Sequence, residues 1–211
     1  MKVNELFYSI QGESTRAGHP CIFVRLTGCN LRCTWCDTAY AFHEGEEMTA
    51  NEILERVKGY PCRMVEFTGG EPLLQLEVHP LITQLLDEGY RVLIETGGSL
   101  DIRKADPRAT IIMDIKCPGS GMSDRMRWEN IQALTSKDEV KFVIKDRQDF
   151  EWAVGVIRRH DLTGRCPVLL APTFGELEPR QLAQWILEKG LKVQLQVQIH
   201  KYIWDPQMRG V

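Results

Sequence analysis

The chain has 211 residues, 43% hydrophobic and 26% charged, and 29 acidic against 26 basic side chains leave a net charge of −3. That size and mixture suit a globular protein with a sizeable core and exclude the basic balance of a nucleic-acid-binding domain. No apolar run is long enough to cross a bilayer as a helix, and Met1-Lys2-Val3-Asn4-Glu5 lacks a signal-peptide pattern, so a cytoplasmic protein without nucleic-acid or membrane partners is expected.

Short apolar runs alternate with amphipathic stretches. Residues 22–26 form the first run and lead into a cysteine-rich loop. Thr49-Ala50-Asn51-Glu52 is a capping box before Ile53, Leu54 and Val57, which predicts a helix. A second strand, 64–67, opens into Thr68-Gly69-Gly70-Glu71-Pro72, and Leu81, Ile82, Leu85 and Leu86 then mark a helix face that stops at Gly89. The strand at 92–94 is followed by Glu95-Thr96-Gly97-Gly98, that at 111–113 by Asp114-Ile115-Lys116, and that at 140–144 by Lys145-Asp146. Asp146 is placed to cap a helix carrying Phe150, Ala153, Val154 and Ile157. The run at 168–170 leads into Ala171-Pro172-Thr173, a helix starts at Glu178-Pro179 and ends at Gly190, and 193–195 is the last run.

These runs are short and rich in β-branched residues, as buried parallel strands are. Strand and helix in alternation predict an α/β fold with right-handed crossovers. The units are too few for a closed eight-fold barrel and predict a partial parallel (β/α) barrel of about six strands, built as one domain over residues 1–211. In such folds the functional loops follow the C-terminal strand ends, so the loops named above belong on one rim.

The chemistry starts at Cys29, Cys33 and Cys36, a C-x3-C-x2-C run. Seven cysteines is an odd number, which argues against a fully paired disulfide framework. Cys21, Cys62, Cys117 and Cys166 are scattered among apolar residues or proline and read as small buried side chains. Soft thiolates select zinc or an iron–sulfur cluster. His43 offers a fourth ligand for a closed zinc site. Three thiolates on a four-iron cluster would instead leave one iron open, and Trp35 stands where an aromatic can cover a ligand there. In the 68–72 stretch, Gly69 and Gly70 permit close backbone approach, Pro72 can start a helix, and Glu71 can accept from an ammonium group.

The cysteine triplet together with Gly69-Gly70-Glu71-Pro72 resembles the radical S-adenosylmethionine (SAM) superfamily. Ser9-Ile10-Gln11-Gly12-Glu13, Arg25, Trp35-Cys36-Asp37-Thr38 and His200-Lys201-Tyr202 extend the resemblance to the 7-carboxy-7-deazaguanine synthases, from end to end of the chain. The resemblance implies a trimmed radical SAM core and a [4Fe-4S] cluster on Cys29, Cys33 and Cys36 whose open iron chelates SAM. Electron transfer would release a 5′-deoxyadenosyl radical, with SAM used catalytically, in a carbon–nitrogen lyase of queuosine biosynthesis. The substrate implied is 6-carboxy-5,6,7,8-tetrahydropterin, converted to 7-carboxy-7-deazaguanine with loss of ammonia. It also implies Mg²⁺ on Thr38, a homodimer, and an electron donor such as flavodoxin or ferredoxin.

Carried over residue by residue, the resemblance puts Trp35, Cys36, Asp37, Gly70, Glu71, Asp114, Ile115, Lys116 and Ala171 at SAM. It puts Ile10, Gln11, Gly12, Glu13, Arg25, Thr68 and His200 at the substrate. Arg25 also has the reading of a salt-bridged structural residue, Asp37 that of a cap, and His200 that of a hydrogen-bonded core histidine. Arg grips carboxylates bidentately, which suits a carboxylated substrate. One departure is the stretch 203–211 beyond the His200-Lys201-Tyr202 match. With Trp204, Pro206 and Met208 it is expected to pack, and whether Val211 reaches the site is open. Two other readings remain: an activase that installs a glycyl radical on a partner enzyme, and a non-catalytic zinc-binding domain.

Overall fold

The computed structural model describes residues 1–211. In chain order the elements are β1 (Lys2–Ile10), β2 (Pro20–Leu26), β3 (Glu46–Glu47), α1 (Ala50–Lys58), β4 (Met64–Gly69), α2 (Val78–Asp87), β5 (Arg91–Thr96), β6 (Thr110–Asp114), β7 (Glu139–Ile144), α3 (Arg147–Arg159), β8 (Val168–Pro172), α4 (Pro179–Lys189), β9 (Gln194–Leu195) and α5 (His200–Ile203). They build one sheet in the order β3-β1-β2-β4-β5-β6-β7-β8-β9. From β2 to β9 every neighbouring pair is parallel. The partial parallel barrel read from the alternating pattern is therefore present, with its parallel strands where the seven apolar runs marked them, although short 3-10 turns rather than α-helices make the crossings from β5 to β6 and from β6 to β7.

The N-terminal addition is what the pattern missed. β1 pairs antiparallel with β2, and β3 with β1. β1 has a register shift between Val3 and Glu5. A bulge of this kind breaks the period-two alternation by which a half-buried strand is recognised.

The helix ends follow local chemistry. At α1, Glu52 N–H donates to Thr49 Oγ1 (3.2 Å) and Thr49 N–H to Glu52 Oε2 (2.7 Å), a reciprocal capping box. Asp146 Oδ1 accepts from Asp149 N–H at 3.0 Å and starts α3. Pro179 opens α4, and Gly190, at φ +57°, ends it in the left-handed conformation that glycine adopts without a Cβ clash.

The strands are buried on both faces. Outside, Val65, Phe67, Ile94, Val140, Phe142 and Leu170 join the helices in the main core. Inside, a small apolar layer of Cys21, Phe23, Met64, Leu93 and Ile112 fills the barrel's lower end. Above it the same inner face turns polar. At the sheet's open side the C-terminal segment crosses back, with Ile199 N–H donating to Gly12 O at 3.0 Å. That links the β9 end of the sheet to the loop after β1 and walls in the space between.

Candidate active site

The loops at the C-terminal strand ends converge on one cavity of about 470 Å³. Its wall includes Cys29, Cys33 and Cys36 from the loop after β2, Gly69, Gly70 and Glu71 from the end of β4 and the turn after it, and Asp114 and Lys116 from the end of β6 and the loop after it. Ile10, Gln11, Gly12 and Glu13 enter from the end of β1, and Arg25 and Thr68 from strand interiors. Trp35, Asp37, Thr38, Ala171 and His200 complete the set. Of the residues expected at the site, Ile115 alone is elsewhere: it is fully buried in the main core.

The cysteine loop is fixed by its neighbours. Gly28, at φ +95°, donates its N–H to Ala41 O at 2.8 Å. Thr34 N–H donates to Ser120 O (3.1 Å) and Thr34 Oγ1 to Gly119 O (2.9 Å), tying the loop to the segment after β6. The Arg32 guanidinium lies 4.3 Å above the Phe42 ring and donates to Cys29 O at 2.7 Å. All three cysteines are unpaired and half-buried. Burial pushes the Cys29 and Cys33 thiols up, and the neighbouring thiols of the triplet add to it. They do not gather about a single-ion position, and His43, the candidate fourth zinc ligand, is exposed and outside the cavity wall. Three soft ligands spread over one loop, with an open cavity before them, fit an iron–sulfur cluster with one iron left free of protein.

The glycine-rich turn packs against that loop. Glu71 N–H donates to Gly28 O (2.8 Å) and Gly70 N–H to Leu26 O (3.1 Å). A Cβ on Gly70 would lie 2.0 Å from Gly28 O, so no larger residue fits there without moving backbone. The Glu71 side chain is occupied: it accepts from Thr96 Oγ1 (2.8 Å), Gly97 N–H (2.8 Å) and Leu73 N–H (3.1 Å). Burial pushes its carboxyl up against the pull of those donors. The sequence offered Glu71 to an ammonium group; the structure shows it bracing the loops after β4 and β5.

On the other side, Arg25 Nε donates to Glu5 Oε2 at 2.8 Å, and Tyr40 Oη donates to the same oxygen at 3.2 Å. The terminal guanidinium nitrogens take no protein acceptor, so Arg25 is both braced and available. Burial pushes the Asp37 carboxyl up, but the Lys201 ammonium at 2.9 Å and the Gln198 amide outweigh it and hold it at about 2. Thr38 Oγ1 stands 3.8 Å from Cys36 Sγ. His200 packs on Gly12, where a Cβ would meet His200 Nδ1 at 1.9 Å, and burial pushes its imidazole down.

Three charged groups inside strands were not singled out from the sequence: Glu66, Glu95 and Lys141 all line the cavity. Lys141 Nζ donates to Glu13 Oε2 (2.7 Å) and to Glu95 Oε1, and lies 3.7 Å from Asp114. Glu13 Oε1 accepts from Gln198 Nε2 (2.8 Å) and Glu95 Oε2 from Thr68 Oγ1 (3.3 Å). Burial opposes the Lys141 charge, but three carboxylates raise it well above its ordinary value. The lysine in turn holds Glu13 below its ordinary value despite burial, while burial wins at Glu95. The signal existed for two of them: Glu66 and Lys141 are charged residues inside apolar strand runs, as Arg25 is, whereas the sequence pattern puts Glu95 at the start of a loop and the structure has it within β5.

Residues 23–159 match the Radical SAM superfamily. The chain is 45% identical to the 7-carboxy-7-deazaguanine synthase of Chlorobaculum tepidum, covering 100% of this chain and 97% of that protein. The same identity holds with the enzyme of that name from Koribacter versatilis, over the whole of both chains, and the Clostridium acetobutylicum enzyme is 39% identical over 100% and 99%. The chain belongs to the 7-carboxy-7-deazaguanine synthase family. It is thus a radical SAM enzyme, and the zinc-scaffold and activase readings are not favoured. Among solved structures it is similar to the crystal structure of QueE from Escherichia coli, with a TM-score of 0.77 at 23% identity over 93% of each chain. That likeness shows the shared fold. Membership implies a [4Fe-4S] cluster and SAM, which the thiol loop and the glycine turn fit. No helix is long and apolar enough to cross a membrane.

Proposed function

We propose that the protein converts 6-carboxy-5,6,7,8-tetrahydropterin to 7-carboxy-7-deazaguanine with loss of ammonia, on the path to queuosine. The observation that carries this reading is the full-length similarity to enzymes of that name, together with a single cavity that joins the thiol loop to carboxylate-binding and ring-binding groups. The bound cluster and SAM would supply the radical that takes hydrogen from the substrate.

The chain's own residues position the reactants. Cys29, Cys33 and Cys36 hold the cluster, and the Gly70 turn offers backbone to SAM, with Trp35, Asp37, Asp114, Lys116 and Ala171 around it. Ile10, Gln11 and Gly12 form the edge against which the pterin lies, between Thr68 and His200. Arg25 takes the substrate carboxylate with its terminal nitrogens, its Nε being held by Glu5. Lys141 keeps Glu13 and Glu95 in fixed orientations beside the ring. Thr38 supplies one oxygen to Mg²⁺, the rest of an octahedral shell coming from substrate and water. The 203–211 stretch closes the cavity mouth: Arg209 pairs with Glu44 at 2.7 Å and stacks 3.7 Å over Tyr40, while Gln207 and Val211 line the wall. One domain, a homodimer, cytoplasmic location and reduction by flavodoxin or ferredoxin complete the proposal.

The test is an anaerobic assay of cluster-loaded protein with reductant, SAM, Mg²⁺ and the carboxytetrahydropterin. Carboxydeazaguanine should form, with SAM recovered intact. Failure to form it, from protein with a full cluster, would reject the reading.

A further inference from the structure

Glu66 is 3% exposed, sits mid-strand in β4 and faces the cavity. The other two carboxylates at this level have both oxygens taken: Glu13 by Lys141 and Gln198, Glu95 by Lys141 and Thr68. Glu66 has one protein partner, Gln11 Nε2, which donates to its Oε2. The remaining oxygen, Oε1, has none. Burial, with Glu95 and Glu13 nearby, pushes this carboxyl well above its ordinary value, so keeping it here is costly. Lys141 lowers it, but donates to the other two carboxylates.

The orientation of Gln11 is fixed. Its Oε1 accepts from Glu13 N–H at 3.0 Å, so its amide nitrogen must face Glu66. Position 66 therefore requires two acceptor atoms: one for Gln11 and one for whatever occupies the cavity. An ionised carboxylate meets that demand, whereas a carboxamide or a protonated carboxyl presents one acceptor and one donor.

Arg25 indicates what the second acceptor meets. Arg25 is paired in register with Thr68, and Phe23 with Glu66, so Glu66 lies one strand across and two residues deeper than Arg25. At about 3.3 Å per residue and about 4.8 Å between strands, that offset is about 8 Å, comparable with the long dimension of a bicyclic pterin. With the substrate carboxylate on Arg25, the opposite end of the ring system, which carries the 2-amino group, falls at this depth.

We propose that Glu66 is a specificity-determining residue for the pterin, its Oε1 accepting from the 2-amino group while Oε2 holds Gln11. This rests on the substrate reading above.

The experiment is anaerobic equilibrium binding to cluster-loaded, SAM-bound protein without reductant, so that nothing turns over. The probes are 6-carboxytetrahydropterin and its analogue with a 2-oxo group in place of the 2-amino group. The native protein should bind the pterin more tightly than the analogue by about ten- to a hundred-fold, the effect of one unpaired buried polar group. Glu66→Gln should lose most of that preference, because its single acceptor cannot serve both Gln11 and the ligand. The exchanged pair Gln11→Glu with Glu66→Gln should restore it. The carboxylate introduced at position 11 then accepts from Glu13 N–H and from the amide introduced at position 66, which frees the position 66 carbonyl for the ligand. A merely structural Glu66 would alter both affinities together and leave their ratio unchanged, and that result overturns the proposal. So does equal binding of the two ligands by the native protein, a measurement that needs no variant. If the native protein binds neither ligand, the substrate reading itself falls.

Discussion

Lys141→Met removes the one ammonium between Glu13 and Glu95 and leaves both carboxylates buried without a cation. Lys141 is 4% exposed, with Glu13 Oε2 at 2.7 Å and Asp114 at 3.7 Å. Removing one partner of a buried ion pair costs about 3–5 kcal/mol, and at about 2–4 °C per kcal/mol for a chain of this size the midpoint of unfolding should fall by about 6–20 °C. The pH dependence separates this cause from lost packing. In the native protein Glu13 is held below its ordinary value of 4.5, so its contribution is complete above that pH and disappears as pH falls through the folded value. Without Lys141 the carboxyl at position 13 is raised instead, and that at position 95, already raised by burial, is raised further. Raised carboxyls cost stability above their unfolded value, and the cost vanishes as they protonate on acidification. The gap between native and variant should be widest near pH 8 and should narrow steadily toward about pH 5. Anaerobic thermal or urea unfolding of the cluster-loaded proteins across that range measures it. A variant within about 1 kcal/mol of native at pH 8, with a parallel pH profile, would refute the reasoning.

Gly70→Ala puts a Cβ 2.0 Å from the backbone oxygen of Gly28 and should displace the cysteine loop; iron and sulfide content per chain should drop well below native, and full cluster content would contradict the packing argument. Cys33→Ala should abolish cluster binding and turnover while leaving a soluble protein with native far-ultraviolet circular dichroism, since the side chain is half-buried at the cavity wall; retained SAM cleavage would contradict the ligand assignment. Thr38→Ala should blunt the response of turnover to added Mg²⁺ with little change in SAM affinity measured by equilibrium binding, and an unchanged Mg²⁺ response would remove the metal role proposed for that hydroxyl.

Much of the fold was legible because each parallel strand is an apolar run, and the helices α1, α3 and α4 begin or end on recognisable capping residues. Thr49, Asp146, Pro179 and Gly190 act as the local rules require. β1 escaped because its bulge near Val3 and Glu5 disrupts the alternation, and β3 because two residues carry no period at all. The site was legible where it is made of loops. Eighteen of the nineteen residues expected there line the cavity, and the exception, Ile115, follows from strand geometry: it lies between Asp114 and Lys116 and points the other way, into the core. The engaged state of Glu71 could not be read, because Thr96 and Gly97 reach it from a different strand end.

The missed residues expose how this barrel divides its interior. Its lower end is packed with Phe23, Met64, Leu93 and Ile112, as a core should be. One step higher β4 and β5 carry Glu66 and Glu95, and β7 carries Lys141, where a hydrophobic side chain would pack more favourably and cost no desolvation. An ion network at that height contributes little net stability compared with an apolar layer. Its value is orientation. Lys141 fixes Glu13 and Glu95, Glu13 fixes Gln11, and Gln11 fixes Glu66, so a chain of hydrogen bonds leads to one oxygen without a partner. On the proposed reading the rim loops, held by Gly70 and Glu71, decide what is bound above, and the mid-strand charges decide which ring can sit below. A substitution at the rim should therefore change cluster and SAM loading, whereas one in the charged layer should change which substrate is accepted.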